Sequence, residues 1–385
     1  MPARFPFRLL AVLGLAACLS GQPLDAAAVG ETPGASLGLP ALSVKNTYLA
    51  PRISLGRKLF MDRRLSGNGT MSCGMCHVPE QGFTVIEVAT AIGIEGRSLR
   101  RNAPTVLNVG FNRYLFHDGR ETSLEEQIWG PLLAHDEMGN HSRETVVATI
   151  SKLPEYTELF AAVFPGQEIS PENIAAALAA YERSLVSAGS RFDRWYFGGD
   201  PGAMTAAEQR GFELFHGKAR CDSCHTIGEK HALFTDEQFH NLGVGQGKSD
   251  RAVAEVKVRL APGIETTVAL GTLDALFGAP PSDDGRFEVT GAEEDRFAYR
   301  TPTLRNIDLT APYMHDGSIA TLREVVEFFD RGGNVNPGLD ARMVPLSLTE
   351  DEKDDLVAFL RSLTGANVGA LAAQARAAAS TPAFP

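Results

Sequence analysis

The chain has 385 residues, 44% of them hydrophobic and 22% charged, with a formal net charge of −11 at pH 7. This length suits two domains, and the composition excludes a largely disordered chain and a bundle of membrane spans. The acidic balance argues against nucleic acid as a partner, because phosphate binding needs clustered Lys and Arg, and five cysteines are too few for a disulfide scaffold of this size.

Arg4 and Arg8 mark a basic start, and residues 9–17 form an apolar run shorter than the about 20 residues a bilayer span needs. That is the pattern of a secretory signal over residues 1–17. Leu15-Ala16-Ala17-Cys18 has the form of a bacterial lipobox, so cleavage there leaves a lipidated Cys18 and a membrane-anchored lipoprotein. Cleavage near Ala26-Ala27-Ala28 is the alternative and discards that cysteine. Either route puts the mature protein in the periplasm. Residues 18–44, rich in Gly, Pro and Ala, are expected to be a tether.

The other four cysteines fall as Cys73-Gly-Met-Cys76-His77 and Cys221-Asp-Ser-Cys224-His225. C-x-x-C-H attaches haem c: two thioethers reach the vinyl groups and the adjacent His turns onto the iron. Two such motifs in an exported chain predict two covalently bound haems, with His77 and His225 as iron ligands. A disulfide within each motif, or a zinc site, leaves both histidines without a task.

The remaining elements read as helices and loops. Ser170-Pro171-Glu172 supplies a cap, a first-turn proline and an acid at the positive end of a helix reaching Val186. Thr205 and Glu208 form a capping box before the second haem motif. Residues 243–294, with Pro280-Pro281, read as a surface excursion. Thr349 and Glu352 cap a last helix with Leu356, Phe359, Leu360 and Leu363 on one face and Gly365 as its stop. No run alternates convincingly enough for a strand. The expected fold is mainly α: two cytochrome-c-like helical domains, 45–200 and 201–365, each with one covalently bound haem, then a flexible tail over 366–385.

The two halves repeat one another. Gly56-x-x-Leu59-Phe60 precedes the first motif and Gly211-x-x-Leu214-Phe215 the second; Phe83-Thr84 and Phe234-Thr235 follow them. Pro104-Thr105, Asn108, His117-Asp118-Gly119, Leu124 and Glu126 recur 198 residues on as Pro302-Thr303, Asn306, His315-Asp316-Gly317, Leu322 and Glu324. The haem motifs are displaced by only 148, so the excursion adds about fifty residues to the second half.

These residues resemble the bacterial dihaem cytochrome c peroxidase and MauG superfamily over roughly residues 50–365. The resemblance rests on both haem motifs, on Arg101-Asn102-Ala103-Pro104-Thr105, on Asp118-Gly119-Arg120 with Leu124-Glu125-Glu126-Gln127, and on Pro302-Thr303-Leu304-Arg305-Asn306 with Pro312-Tyr313-Met314-His315-Asp316-Gly317. It implies an N-terminal haem where peroxide reacts and a C-terminal haem that handles electrons. It also implies a calcium ion between the domains, held by Asn102 and by the backbone carbonyls of Thr310 and Pro312; oxygen ligands are what calcium takes. Splitting hydrogen peroxide needs a base that moves a proton from one oxygen to the other, and a polar group that orients the substrate. The family's spacing places these roles on Glu137 and Gln127. The repeat-equivalent residues, Val335 and Val325, can do neither.

Three departures stand out. Some relatives close the first iron with a histidine in the loop after the first motif, but here no histidine lies between His77 and His117, so that haem is expected to be open without reduction. Relatives place Met or Tyr fourteen residues after the His of His-Asp-Gly, as ligand of the second iron; here that residue is Phe329, which leaves the second haem five-coordinate, water-bound or ligated by another residue, with Met343 the first substitute. The family's interhaem Trp is replaced by His117, a poorer relay, and Trp129 and Trp195 are the only tryptophans. His240 is a further residue able to approach the second haem. The leading expectation is a peroxidase taking electrons from a small redox protein, a cytochrome c or a cupredoxin. A MauG-type oxidase acting on residues of a partner protein is the second, and a non-enzymatic dihaem electron carrier the third. Related enzymes are often dimers, so the resemblance also implies a homodimer.

Overall fold

The computed structural model describes residues 36–42, 50–245, 255–261, 264–269 and 283–379. The signal, Cys18, the start of the tether and the last residues of the tail lie outside them. The first half carries α1 (Ala50–Met61), α2 (Cys73–Cys76), α3 (Leu124–Gln127), α4 (Trp129–Leu133), α5 (Arg143–Ser151), α6 (Pro154–Val163) and α7 (Pro171–Ser184). The second carries α8 (Arg191–Tyr196), α9 (Ala206–His216), α10 (Phe287–Thr290), α11 (Leu322–Asp330), α12 (Glu350–Arg361) and α13 (Val368–Ala379). The caps form as the sequence dictates: Ser170 Oγ accepts from Asn173 N–H, and the Thr205 and Thr349 boxes close on Glu208 and Glu352.

Two glycines set the main helix crossings. α1 lies on α7 and α9 on α12. A Cβ at Gly56 would stand 1.9 Å from the Ala177 carbonyl oxygen, and one at Gly211 would stand 2.0 Å from that of Asp355. Only a residue without a side chain lets the backbones approach so closely. Leu55, Leu59, Phe60, Ile174, Leu178 and Phe160 fill the first core; Phe192, Phe215, Phe234, Leu356 and Phe359 fill the second. The cores divide between Leu185 and Phe192, earlier than the expected boundary at 200, because Phe192 of α8 inserts into the second aromatic cluster.

The turns repeat as closely as the helices. Asn108 and Asn306 both adopt left-handed backbone (φ 61° and 63°). Asn108 exchanges hydrogen bonds with Ser187, while the Asn306 side chain accepts from Ser187 Oγ and Gly365 N–H. Gly365 is thus not the helix stop it was expected to be. α12 ends at Arg361, and Gly365 is small because a Cβ there would lie 2.1 Å from Ser187 Oγ.

Strands occur, against expectation. β2 (Glu255–Ala261) and β3 (Ile264–Ala269) pair antiparallel within the excursion. Glu-Val-Lys-Val-Arg-Leu does alternate, and Pro262-Gly263 is a turn signal, so the hairpin was legible. β1 (Phe239–Asn241) pairs with β4 (Ala298–Arg300), setting His240 opposite Tyr299 and closing the base of the excursion.

Both ends of the chain also depart from the reading. Residues 36–42 include a docked strap rather than loose tether: Leu39 is buried, and Gly38 O accepts from Ala232 N–H and Arg305 Nη2 of the second half. The tail expected to be flexible is helix α13. Its alanines favour helix and are small enough for close packing, with Ala372 and Ala375 buried and Gln374 O accepting from Arg57 of α1.

Candidate haem sites and peroxide pocket

Each C-x-x-C-H segment forms one tight turn. His77 N–H bonds Cys73 O and His225 N–H bonds Cys221 O, both at 2.9 Å, which gathers two free thiols and an imidazole. His77 Nδ1 donates to Phe83 O at 3.2 Å and His225 Nδ1 to Phe234 O at 2.8 Å. Phe83 and Phe234 both take positive φ, so the repeated Phe-Thr pair is a turn that aims a carbonyl at the histidine. Burial lowers both imidazole pKa values and keeps the rings neutral, and Nδ1–H fixes the tautomer that leaves Nε2 for a metal. Burial also raises the Cys73 and Cys221 thiols.

The residues fit the two haems. The second motif borders a cavity of about 310 Å³ with apolar walls from Leu304, Val326, Phe329, Leu346, Leu356 and Leu360. Near the first motif, the buried Tyr181 hydroxyl has no hydrogen-bond partner, a polar atom left for a bound group.

Glu137 lies beside the first motif, where its charge acts on both Cys73 and Cys76. Burial raises its carboxyl to about 7; Asp136 adds to the rise and Arg120 opposes it. Gln127 ends α3 and is half-buried, with α4 between it and Glu137. Glu182, absent from the sequence reading, is a second buried acid near Cys73, raised to about 8 by its burial. Nothing in its surroundings on α7 is local, so spacing could not reveal it.

The histidine-free loop is held in place. Ile94 N–H donates to Glu137 O, and a Cβ at Gly93 would stand 1.8 Å from Asp136 O. Farther along, Asn102 Nδ2 donates to Ala89 O. The Ile94 bond and the Gly93 contact fix the backbone that carries Glu137.

Asn102, His117, Thr310, Pro312 and His315 border the same cavity as the second motif. Asn102 N–H donates to His315 O and Asn102 O accepts from His117 Nε2 at 3.0 Å. Burial pushes His117 down to about 4 and His315 to about 3, so both are neutral. The His315 ring stacks on Tyr299 with centroids 3.6 Å apart, a partner the sequence did not disclose because β4 brings it in. Trp129 is buried in the first core under Arg143, and Trp195 packs in the second aromatic cluster.

At the second motif, Phe329 and Met343 both face the cavity. His240 sits between Asp236 and Asp340, with Nε2 3.0 Å and Nδ1 2.8 Å from a carboxylate oxygen. Among the described residues, Cys224, Asp236 and His240 lie within ligand reach of one another.

The profile of the di-haem cytochrome c peroxidase family matches residues 50–201. Methylamine utilization protein MauG of Methylorubrum extorquens is 36% identical over 83% of this chain and 79% of its own. The chain belongs to this family. Cytochrome-c peroxidase IdrP1 of Denitromonas iodatirespirans is 37% identical over 88% of this chain and 89% of its own. The crystal structure of a MauG-like protein associated with microbial copper homeostasis superposes with a TM-score of 0.70, at 33% identity, covering 86% of this chain and 95% of its own. As a di-haem cytochrome c peroxidase family member, the chain is an oxidoreductase of a family that carries two haems c.

Proposed function

We propose that the protein is an exported, periplasmic peroxidase that reduces hydrogen peroxide to water at the N-terminal haem. Electrons reach it through the C-terminal haem from a small redox protein. The haems, when bound, supply the two electrons that break the O–O bond. Glu137 Oε takes a proton from one peroxide oxygen and hands it to the other, which leaves as water; Gln127 orients the substrate. Two electrons and two protons from outside then balance one peroxide against two waters. The observation that carries this reading is the asymmetry of the repeat. Glu137 is buried beside Cys76 with a pKa near 7, while its repeat-equivalent Val335 is 95% exposed. A proton carrier works best when its pKa lies near the working pH.

Asn102 Oδ1 with the Thr310 and Pro312 carbonyls would offer calcium an all-oxygen set, a reading supported by all three residues bordering one cavity. His117 and the Tyr299–His315 stack lie in the same region.

The test is stopped-flow absorbance of the fully oxidised holoprotein mixed with one equivalent of hydrogen peroxide. A prompt Soret change without prior reduction supports an open first haem, and Glu137→Gln should slow it by about 10²–10⁴-fold. A protein inert until reduced overturns the open site. The histidine-free loop and the missing Met at Phe329 favour a second reading, MauG-type oxidation of a partner protein, while the missing Tyr and the His at 117 count against it. Sustained peroxide turnover with a reduced cytochrome c or cupredoxin supports the first reading; peroxide reaction without turnover supports the second.

A further inference from the structure

We propose that Met343 is the second axial ligand of the C-terminal haem, supplying the donor that Phe329 cannot. The proposal rests on the dihaem reading above.

Ligand-capable atoms around the second cavity can be taken in turn. His117 Nε2 is committed to Asn102 O. Tyr299 Oη donates to Asp283 O and Tyr313 Oη to Ile307 O, each at 3.1 Å. Both ring nitrogens of His240 face carboxylates. His315 is stacked flat on Tyr299, and Gly245 is so close behind it that a Cβ there would stand 3.1 Å from His315 Nε2. Met314 occupies the left-handed turn position (φ 73°) that Phe116 fills in the first half, where no sulfur is needed. Among the described residues, that leaves the Met343 thioether.

Its loop is built to hold it there. Arg342 Nη1 donates to Ser223 O, inside the second C-x-x-C-H motif. Asp340 N–H donates to Asn241 O, and the Asp340 carboxylate takes both His240 Nδ1 and Arg342. Met343 N–H closes the turn on Asp340 O. Asn334, at the other end of the loop, binds Leu242 O and Gly243 O. Gly333 then makes the room: a Cβ there would stand 2.8 Å from Met343 Cε. A thioether is a soft ligand that raises a haem's reduction potential, which suits a haem that takes up electrons.

The experiment compares the ferric holoprotein with Met343→Leu and Met343→Gln by near-infrared absorption, EPR and redox titration, with haem counted per chain by mass. The wild type should show the thioether-to-iron charge-transfer band and one low-spin haem. Both variants should keep two haems, lose the band, and shift the potential of one haem downward. A wild-type protein with two haems and no band overturns the proposal, whether or not the variants fold; so does a band that persists in Met343→Leu. A wild-type chain carrying fewer than two haems overturns the dihaem reading instead.

Discussion

Glu137 shows how a single carboxyl acquires a task. In water it would be ionised at neutral pH; burial beside Cys76 and the Asp136 charge hold its pKa near 7, with only Arg120 pulling the other way. As the proton acceptor it must be deprotonated before peroxide arrives. The rate of peroxide reaction should therefore rise as pH increases through about 7 and level off above it. Glu137→Gln should be slow and lack this inflection; a variant that keeps it would assign the titration to another group, with Glu182, raised to about 8, the first to examine. Asn102 carries a separate prediction. Its Nδ2 is used by Ala89 O, so Asn102→Ala removes only Oδ1 from the proposed ion site and should weaken calcium binding at least tenfold in a calorimetric titration of chelator-treated protein.

At the scale of elements, the repeat is a pair of helix crossings with a glycine at each contact. Gly56→Ala and Gly211→Ala each force a methyl against a backbone carbonyl, which cannot rotate away. Each should destabilise by about 1–3 kcal/mol, read as a lower thermal midpoint with haem still attached. Elements whose cause lies within a few residues were legible in the sequence. The Ser170, Thr205 and Thr349 caps bond three residues on, and the C-x-x-C-H turns contain their own hydrogen bonds. Elements whose cause lies far along the chain were not. Tyr299 meets His315 only because β1 and β4 pair across the excursion, and Glu182 is buried by a core assembled from residues 55 to 375. The Ala-rich tail, expected to be flexible, instead packs on α1, which accepts it because alanine stands off so little.

For the whole molecule, the strongest tie at the N-terminal strap is a buried ion pair. Arg305 meets Asp193 through two 2.9 Å bonds, with side chains 2% and 0% exposed, and the same guanidinium binds Gly38 O and Ala232 O. Arg305→Met leaves Asp193 buried without its partner and should cost about 3–5 kcal/mol in denaturant unfolding. Ending the chain at Gly365 should cost about 2–4 kcal/mol through lost burial of Leu371, Ala372 and Ala375. That loss should appear as faster hydrogen exchange in α1, which belongs to the opposite half.

α13 closes the first core from far along the chain: Ala375 belongs to that core, and Cys73 and Cys76 pack against it. With α13 undocked, the two thiols of the haem-free protein should react faster with a thiol-directed reagent.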